Sequence, residues 1–383
     1  MKIIVAFDSF KGSITAKEAC QAAAKGLKKS IPGCEVISVP LADGGEGMID
    51  TLQGCSVFSN ASNITVEVMG PYGKPVTTSY LLCGRTAVIE MALVCGLELT
   101  PKNERNLFET TSFGLGEVFL HAIKNGCDHI IFGLGGSGTN DCGIGFAQAI
   151  GVDFYNFEGE KIQTPARASD LSLVRRVDVS NIFPQLMNTS VDICCDVNNP
   201  LLGKQGATMV YGKQKGANQE ELVQIEKSIS DYASIVEYSI NMNLSNMSGT
   251  GAAGGMGAAL MWFTNAKIRP GIKFILDLVG IDNELLDCDL VITGEGRIDE
   301  QTSFGKVPVG VAERAASKNI PVIAIAGTVD QPQSLAIPNI NAIWSITFSP
   351  MSLAEAMSNG SILLESTTEQ LGYTLQIGSI IHS

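Results

Sequence analysis

Leu290-Val291-Ile292-Thr293-Gly294-Glu295-Gly296-Arg297-Ile298-Asp299-Glu300-Gln301-Thr302-Ser303-Phe304-Gly305-Lys306 is the stretch on which the reading of the fold turns. Its apolar opening, 290–292, has the pattern of a buried parallel strand. It breaks into a glycine-spaced segment carrying carboxylates, a guanidinium, an amide, hydroxyls and an ammonium. Pro308 marks the first turn of a following helix, where a missing N–H costs nothing. Strand, polar loop and helix form the repeating unit of a parallel α/β sheet, and ligands gather at the carboxyl ends of its strands. A polar surface turn is the plainer reading of any Gly/Asp/Ser cluster, but such turns seldom hold so many different functional groups.

The same grammar extends outward in both directions. A strand over 3–7 ends in Asp8-Ser9-Phe10-Lys11-Gly12-Ser13. Thr15-Ala16-Lys17-Glu18 then fits a capping box that opens an Ala-rich helix, stopped by Pro32-Gly33. A strand over 35–39 ends in Pro40-Leu41-Ala42-Asp43-Gly44-Gly45-Glu46-Gly47. Near the C-terminus, strands over 322–326 and 342–346 alternate with helices over 309–317 and 353–371. The middle differs: β-rich runs over 65–69, 76–83 and 86–91, joined by short Gly turns, read as antiparallel hairpins. After them come a helix over 107–124, strands over 129–132 and 191–195, and a helix over 218–238. The fold class is therefore α/β, a parallel-sheet domain (1–63 and 286–383) interrupted by a second, mixed-sheet α/β domain (64–285).

Composition narrows the function. In 383 residues, 45% hydrophobic content with 17% charged residues suits a compact globular chain. A net charge of −13 argues against nucleic-acid or anionic-membrane partners. Asp8 and Lys11 interrupt the N-terminal apolar run, and no segment approaches the ~20 apolar residues of a membrane helix, so a cytoplasmic protein is expected. Ten cysteines form no C-x-x-C pair, and three histidines stand in no metal-binding or triad spacing. Carboxylates, lysines and glycine loops must carry any chemistry.

Gly133-Leu134-Gly135-Gly136-Ser137-Gly138 follows a strand and matches G-x-G-x-x-G, whose glycines let backbone N–H groups approach a phosphate. A second copy, Gly249-Thr250-Gly251-Ala252-Ala253-Gly254, follows a polar segment and reads as a tight helix start. No Walker A exists, though Lys306 would still meet a phosphate as a point charge. Lys11 reads as an anion ligand or an exposed lysine, and Lys213 and Lys215 read first as solvated lysines, with anion binding the alternative. Asp8, Asp43, Glu46, Asp141, Asp196, Glu295 and Asp299 all sit where an apolar run meets a Gly-rich loop. Any one of them fits a cap or turn. Together they match the carboxylate supply that phosphoryl transfer needs for a metal and an attacking hydroxyl.

These blocks resemble the bacterial type I glycerate kinases over nearly the whole chain. The resemblance is carried by Asp8 to Ser13, Pro40 to Gly47, Arg85-Thr86-Ala87-Val88-Ile89-Glu90-Met91-Ala92, Gly135-Gly136-Ser137 and Thr139-Asn140-Asp141. It continues in Asp196-Val197, Asn199-Pro200-Leu201, Gln214-Lys215-Gly216-Ala217, Thr293-Gly294-Glu295-Gly296-Arg297, Asp299, Gln301-Thr302 and Gly305-Lys306. Gly138, Cys142 and Lys213 stand where that family usually has Ala, Gly and Pro. The resemblance implies a flavodoxin-like domain interrupted by a second α/β domain, with the active site in the cleft between them. It implies ATP-dependent phosphorylation of D-glycerate to 2-phospho-D-glycerate with Mg²⁺, and leaves a homodimer open. Lys11 and Arg297 would clamp the glycerate carboxylate or the γ-phosphate, and Asp43 or Asp141 would orient or deprotonate the hydroxyl. Ser9, Gly135, Gly136, Ser137, Thr139, Asn140 and Lys306 would bind the phosphate-bearing ligand, and Asp196, Glu295 and Asp299 the metal. Competing readings are 3-phosphoglycerate as product, an NAD-dependent hydroxyacid dehydrogenase, and a non-catalytic metabolite sensor.

Overall fold

Apolar runs become the strands of two principal sheets in the computed structural model, which describes residues 1–42, 44–53, 55–299, 302, 306–330 and 337–381, the side chains of 56 and 379–381 excepted. In chain order the strands are β1 (Lys2–Phe7), β2 (Glu35–Ser38), β3 (Ser62–Met69), β4 (Pro75–Cys83), β5 (Thr86–Glu90), β6 (His129–Gly133) and β7 (Asp153–Tyr155). They continue with β8 (Arg176–Asp178), β9 (Ser190–Cys194), β10 (Ala266–Arg269), β11 (Leu290–Ile298), β12 (Val322–Val329) and β13 (Ala342–Ser345). Two compact units emerge, one of Met1–Asp43, Asp50–Asn60 and Gly271–Ser383, the other of Gly44–Ile49 and Ala61–Pro270.

The first unit holds a five-stranded sheet in the order β13-β12-β11-β1-β2, with every pair parallel. Helix Ala16–Ser30 opens on the expected capping box, Thr15 Oγ1 accepting from the Glu18 N–H while Glu18 accepts from the Thr15 N–H. Its buried Ala19, Ala23 and Leu27 join Leu364 and Leu371 of helix Gly360–Ile381 over Ile3, Val5, Phe7, Ile292 and Ile325 of the sheet. Residues 271–285, assigned from the sequence to the insert, belong to this unit instead. Their apolar face buries Ile272 and Ile275, and Ile272 lies against Gly310 of helix Val307–Ala316.

Leu290 opens a longer strand than the sequence implied. The ladder with β12 continues through Glu295↔Ala326 and Arg297↔Thr328, so the glycine-spaced segment is strand as far as Ile298. Glycine here marks a close backbone approach, not a turn: a Cβ on Gly294 would lie 1.8 Å from the Ile325 carbonyl oxygen. Glu295, Gly296 and Arg297 therefore stand on a rigid strand end.

The second unit holds a six-stranded sheet, β10-β9-β6-β5-β4-β3. β3, β4 and β5 are antiparallel neighbours, and the pairs β5–β6, β6–β9 and β9–β10 are parallel. Cys83↔Thr86 across Gly84-Arg85 confirms the tight hairpin. β7 and β8 form a separate antiparallel ribbon. One core covers this sheet, built around Phe119, Phe132 and Phe146 and the inner faces of helices Phe113–Lys124, Gln219–Ile240 and Ala252–Phe263. The helix expected from 107 starts at Phe113, after a 3-10 turn at Leu107–Glu109. The second G-x-G-x-x-G copy leads into helix Ala252–Phe263 through left-handed backbone at Ala253, Gly254 and Gly255, in keeping with a close-packed helix start.

Candidate active site

The carboxyl end of the β1–β11 pair collects the charged side chains of the first unit. The order 2-1-3-4-5, counted within that sheet, reverses direction between these two strands, and such reversals are where open α/β sheets take ligands. The loop after β1 begins with the Asp8 N–H donating to the Gly294 carbonyl at 2.9 Å. That places Ser9, half-buried, and Lys11, exposed, beside the end of β11. Glu295 is nearly buried, with one oxygen 3.0 Å from Lys306 Nζ and the other accepting from Thr302 Oγ1 at 2.9 Å. Burial pushes the Glu295 carboxyl up, and Lys306 and Thr302 pull it back. Arg297 Nε approaches Asp330 at 3.0 Å and Asp299 at 3.6 Å, and Asp330 raises the guanidinium pKa further. Asp299 and Thr302 exchange hydrogen bonds: Asp299 N–H donates to the threonine hydroxyl, and Thr302 N–H donates to the carboxylate. Glu300, Gln301 and 303–305, quoted from the sequence, lie outside the described residues.

The second unit presents backbone instead. Segment Gly44–Ile49 lies across the carboxyl ends of β6 and β9, and a Cβ on Gly135 would fall 2.3 Å from the Gly45 Cα. Glu90, buried at the end of β5, holds this segment by accepting from the N–H groups of Gly47 and Ile49. Past β6, the chain is pinned by Leu97 N–H to the Gly136 carbonyl at 2.9 Å and Gly138 N–H to the Cys95 carbonyl at 2.7 Å. Among the described residues, the N–H groups of Gly135, Gly136 and Ser137 meet no acceptor. Gly136 is exposed, Gly135 half-buried and Ser137 nearly buried. Asp196 stands half-buried just past the end of β9.

Three site expectations change here. Thr139 and Asn140 are fully buried, so their side chains do not line a ligand. Asn140 Nδ2 instead donates to Thr208 Oγ1 at 3.0 Å. Asp141 is buried under four donors: Ser112 N–H and Oγ, both at 2.7 Å, Gly143 N–H at 3.2 Å and Gly145 N–H at 3.3 Å. Burial raises its pKa while those donors oppose the rise. It caps the start of helix Ile144–Ala149 and does not face a hydroxyl substrate. Asp141 also places a carboxylate on the N–H groups of Gly143 and Gly145 at that helix start, which disfavours a bare pyrophosphate there and with it the dehydrogenase reading. Asp43, the other expected base, lies outside the described residues.

Glu90 and Lys215 carry more than the sequence reading gave them. Glu90 ends an apolar strand, the same signal used for Asp8 and Glu295, but gives way to an apolar Met91-Ala92 in place of a glycine loop. Lys215 reads from sequence as exposed or anion-binding and is in fact buried. Among the described residues no group of three His, Cys, Asp or Glu side chains is gathered for a metal, and no helix is long and apolar enough to cross a membrane.

The family model described as the glycerate kinase family matches residues 3–376. The chain belongs to the glycerate kinase family. It is 41% identical over 386 aligned residues to a glycerate kinase of Bacillus cereus (strain ATCC 10987 / NRS 248), covering 100% of both chains. It is 38% identical over 381 residues to glycerate 2-kinase of Escherichia coli (strain K12), covering 99% of each. A solved structure described as glycerate kinase 2 from Salmonella typhimurium LT2 superposes with a TM-score of 0.85 at 39% identity, covering 99% of each chain.

Proposed function

We propose that this chain transfers the γ-phosphoryl group of ATP to D-glycerate, with the 2-hydroxyl as acceptor and 2-phospho-D-glycerate as product. The observation that carries the reading is the family match over residues 3–376, joined by relatives of the same length. The 2-position follows the printed name of the Escherichia coli relative. The strand order of the first unit supports its reading as flavodoxin-like.

Phosphoryl transfer asks a protein mainly for positioning and for positive charge around the moving group. Lys306, Arg297 and Lys11 supply that charge at one strand end. Glu295 holds Lys306 in place, and Arg297 is braced by Asp330. In the second unit, the N–H groups of Gly135, Gly136 and Ser137, with the Ser137 hydroxyl, form a neutral cradle for an anionic group. Ser9 is a further hydroxyl donor beside Lys11. Asp43 is the proposed base or orienter for the attacking hydroxyl.

The donor chemistry fits Mg²⁺, a hard cation that takes carboxylate oxygens and keeps substrate phosphates and waters as its other ligands. Glu295 is engaged by Lys306 and Thr302, so Asp299, which Thr302 joins to it, is the more direct carboxylate ligand in the first unit, and Asp196 is the separate candidate in the second. Bound there, the ion would neutralise charge on the nucleotide phosphates.

Incubating the purified protein with ATP, Mg²⁺ and D-glycerate and reading the product by phosphorus NMR tests this directly. Formation of 2-phosphoglycerate is expected. A 3-phosphoglycerate resonance would move the acceptor to the other hydroxyl. Absence of any phosphoglycerate, with or without reduction of NAD, would end the kinase reading and reopen the sensor or dehydrogenase.

A further inference from the structure

The loop Gly135–Thr139 rests on a cation that solvent does not reach. Lys215 closes the 3-10 turn Lys213–Lys215 and is only 2% exposed, yet its ammonium pairs directly with no described carboxylate. Its Nζ donates to the Thr139 carbonyl at 2.6 Å and to Ser137 Oγ at 3.0 Å. A buried lysine is costly unless its charge is used. The bond to Ser137 has a chemical consequence. With a lone pair of Oγ taken by the ammonium, the serine O–H proton remains available to donate to another group. The same loop carries the three N–H groups of Gly135, Gly136 and Ser137, which meet no acceptor among the described residues. The turn is fixed from outside by Arg105, whose Nη1 donates to the Gln214 carbonyl at 3.2 Å.

We propose that Lys215 is a positioning residue for substrate: from beneath the loop it fixes Ser137 as a donor and adds its charge to a cradle for a phosphoryl or carboxylate group. The assignment of that group to ATP or to glycerate rests on the kinase reading above; the cradle itself does not. Burial pushes the Lys215 ammonium down to about 7, and Asp141, the charged group facing it from the loop after β6, opposes the fall. The cradle therefore holds its extra charge below about pH 7 and loses it above. An arriving anion would draw the proton back.

The test is steady-state kinetics of wild type, Lys215→Met, Lys215→Arg and Ser137→Ala from pH 6 to pH 9, varying ATP and D-glycerate in turn. Wild-type KM for one of the two substrates should rise about tenfold across pH 7, the size of one charge-assisted hydrogen bond. The substrate affected names the group bound. Lys215→Met should show the high KM at every pH, with kcat changed less than threefold. Lys215→Arg should recover part of the low KM and lose the pH step. Adding Ser137→Ala to Lys215→Met should cost little more, because the two act as a unit. A Lys215→Met enzyme that keeps both the wild-type KM and its pH profile would overturn the proposal. If that variant does not fold, the wild-type profile and Ser137→Ala decide alone, and a flat wild-type KM refutes it. If wild type fails to phosphorylate glycerate, the kinase reading is what has failed. Calorimetric titration with ATP at pH 6 and pH 8 then judges Lys215, equal affinities counting against it.

Discussion

The two strand-end sites spend charge in opposite ways. In the first unit, Glu295, Arg297, Asp299 and Lys306 stand on or just past β11 and form ion pairs in which the cation of each is open to solvent. In the second, the charges Asp141 and Lys215 are sealed below the loop, and what reaches solvent from the loop is glycine backbone. An accessible ion pair can exchange partners when a charged substrate arrives. A sealed charge cannot, and acts by holding a loop in one shape. The contrast teaches that carboxylates at equivalent positions in the sequence pattern, Glu295 and Asp141, take unlike jobs. Depth decides between them.

The sharpest break of that contrast is Lys306→Met. It removes a cation proposed to meet the transferred phosphoryl group and leaves the desolvated Glu295 carboxylate without its partner. A fall in kcat of about 10³-fold is expected, the scale seen when one preorganised charge-stabilising donor is lost. Thermal stability should fall modestly: the lysine is partly solvent-exposed, but the nearly buried Glu295 loses the charge that offsets its desolvation. A coupled assay for ADP alongside a melting curve checks both halves. Wild-type turnover in a folded Lys306→Met protein would take Lys306 out of the chemistry.

Asp141→Ala should give the inverse pattern. Four donors would lose their acceptor, and the buried Lys215 would lose the carboxylate that offsets its desolvation. Removing one member of such a buried set costs about 3 kcal/mol. Urea unfolding should show that loss. The fraction still folded should keep kcat within an order of magnitude if the residue is scaffold alone. A stable variant with kcat reduced a thousandfold would restore Asp141 as a base and erase the distinction between the two sites.

Much of this architecture was legible before any coordinates. Apolar runs ending in polar loops located β1, β6, β11 and β12, because a strand buried on both faces leaves an uninterrupted apolar signal, and the same alternation of strand, loop and helix located the less buried β2, β9 and β13. The capping box at Thr15 and Glu18 fixed a helix start to the residue. What was not legible has a common cause. Gly294 and Gly296 look like loop residues in a sequence, but here they thin a strand so that neighbouring backbone can approach. Short β10 alternates Ala266 and Ile268 with exposed Lys267 and Arg269, an alternation of only four residues that does not stand out in the sequence. Side-chain depth was the hardest quantity to read. Thr139, Asn140, Asp141 and Lys215 have the composition of a binding loop, and only the packing of Ser112, Thr208 and Gly254 against that loop shows that it is interior.

The smallest expected effect isolates that interior charge. Burial sets the Lys215 pKa at about 7 in the folded chain, below the ordinary lysine value near 10.4 of an unfolded one. Between those values the unfolded chain holds a proton that the folded chain lacks, so stability from this group rises with pH. The contribution is at its lowest below about pH 7, where both states are protonated and the buried ammonium is carried into the fold. Lys215→Met has no proton to exchange. The stability of wild type relative to the variant should therefore climb from pH 7 to pH 10, with a slope of at most about 1.4 kcal/mol per pH unit. Urea titrations of the two proteins at half-unit intervals measure that difference directly, and groups common to both cancel. Parallel curves would mean that the lysine keeps its ordinary pKa and is hydrated. The second site would then spend its charge as the first one does.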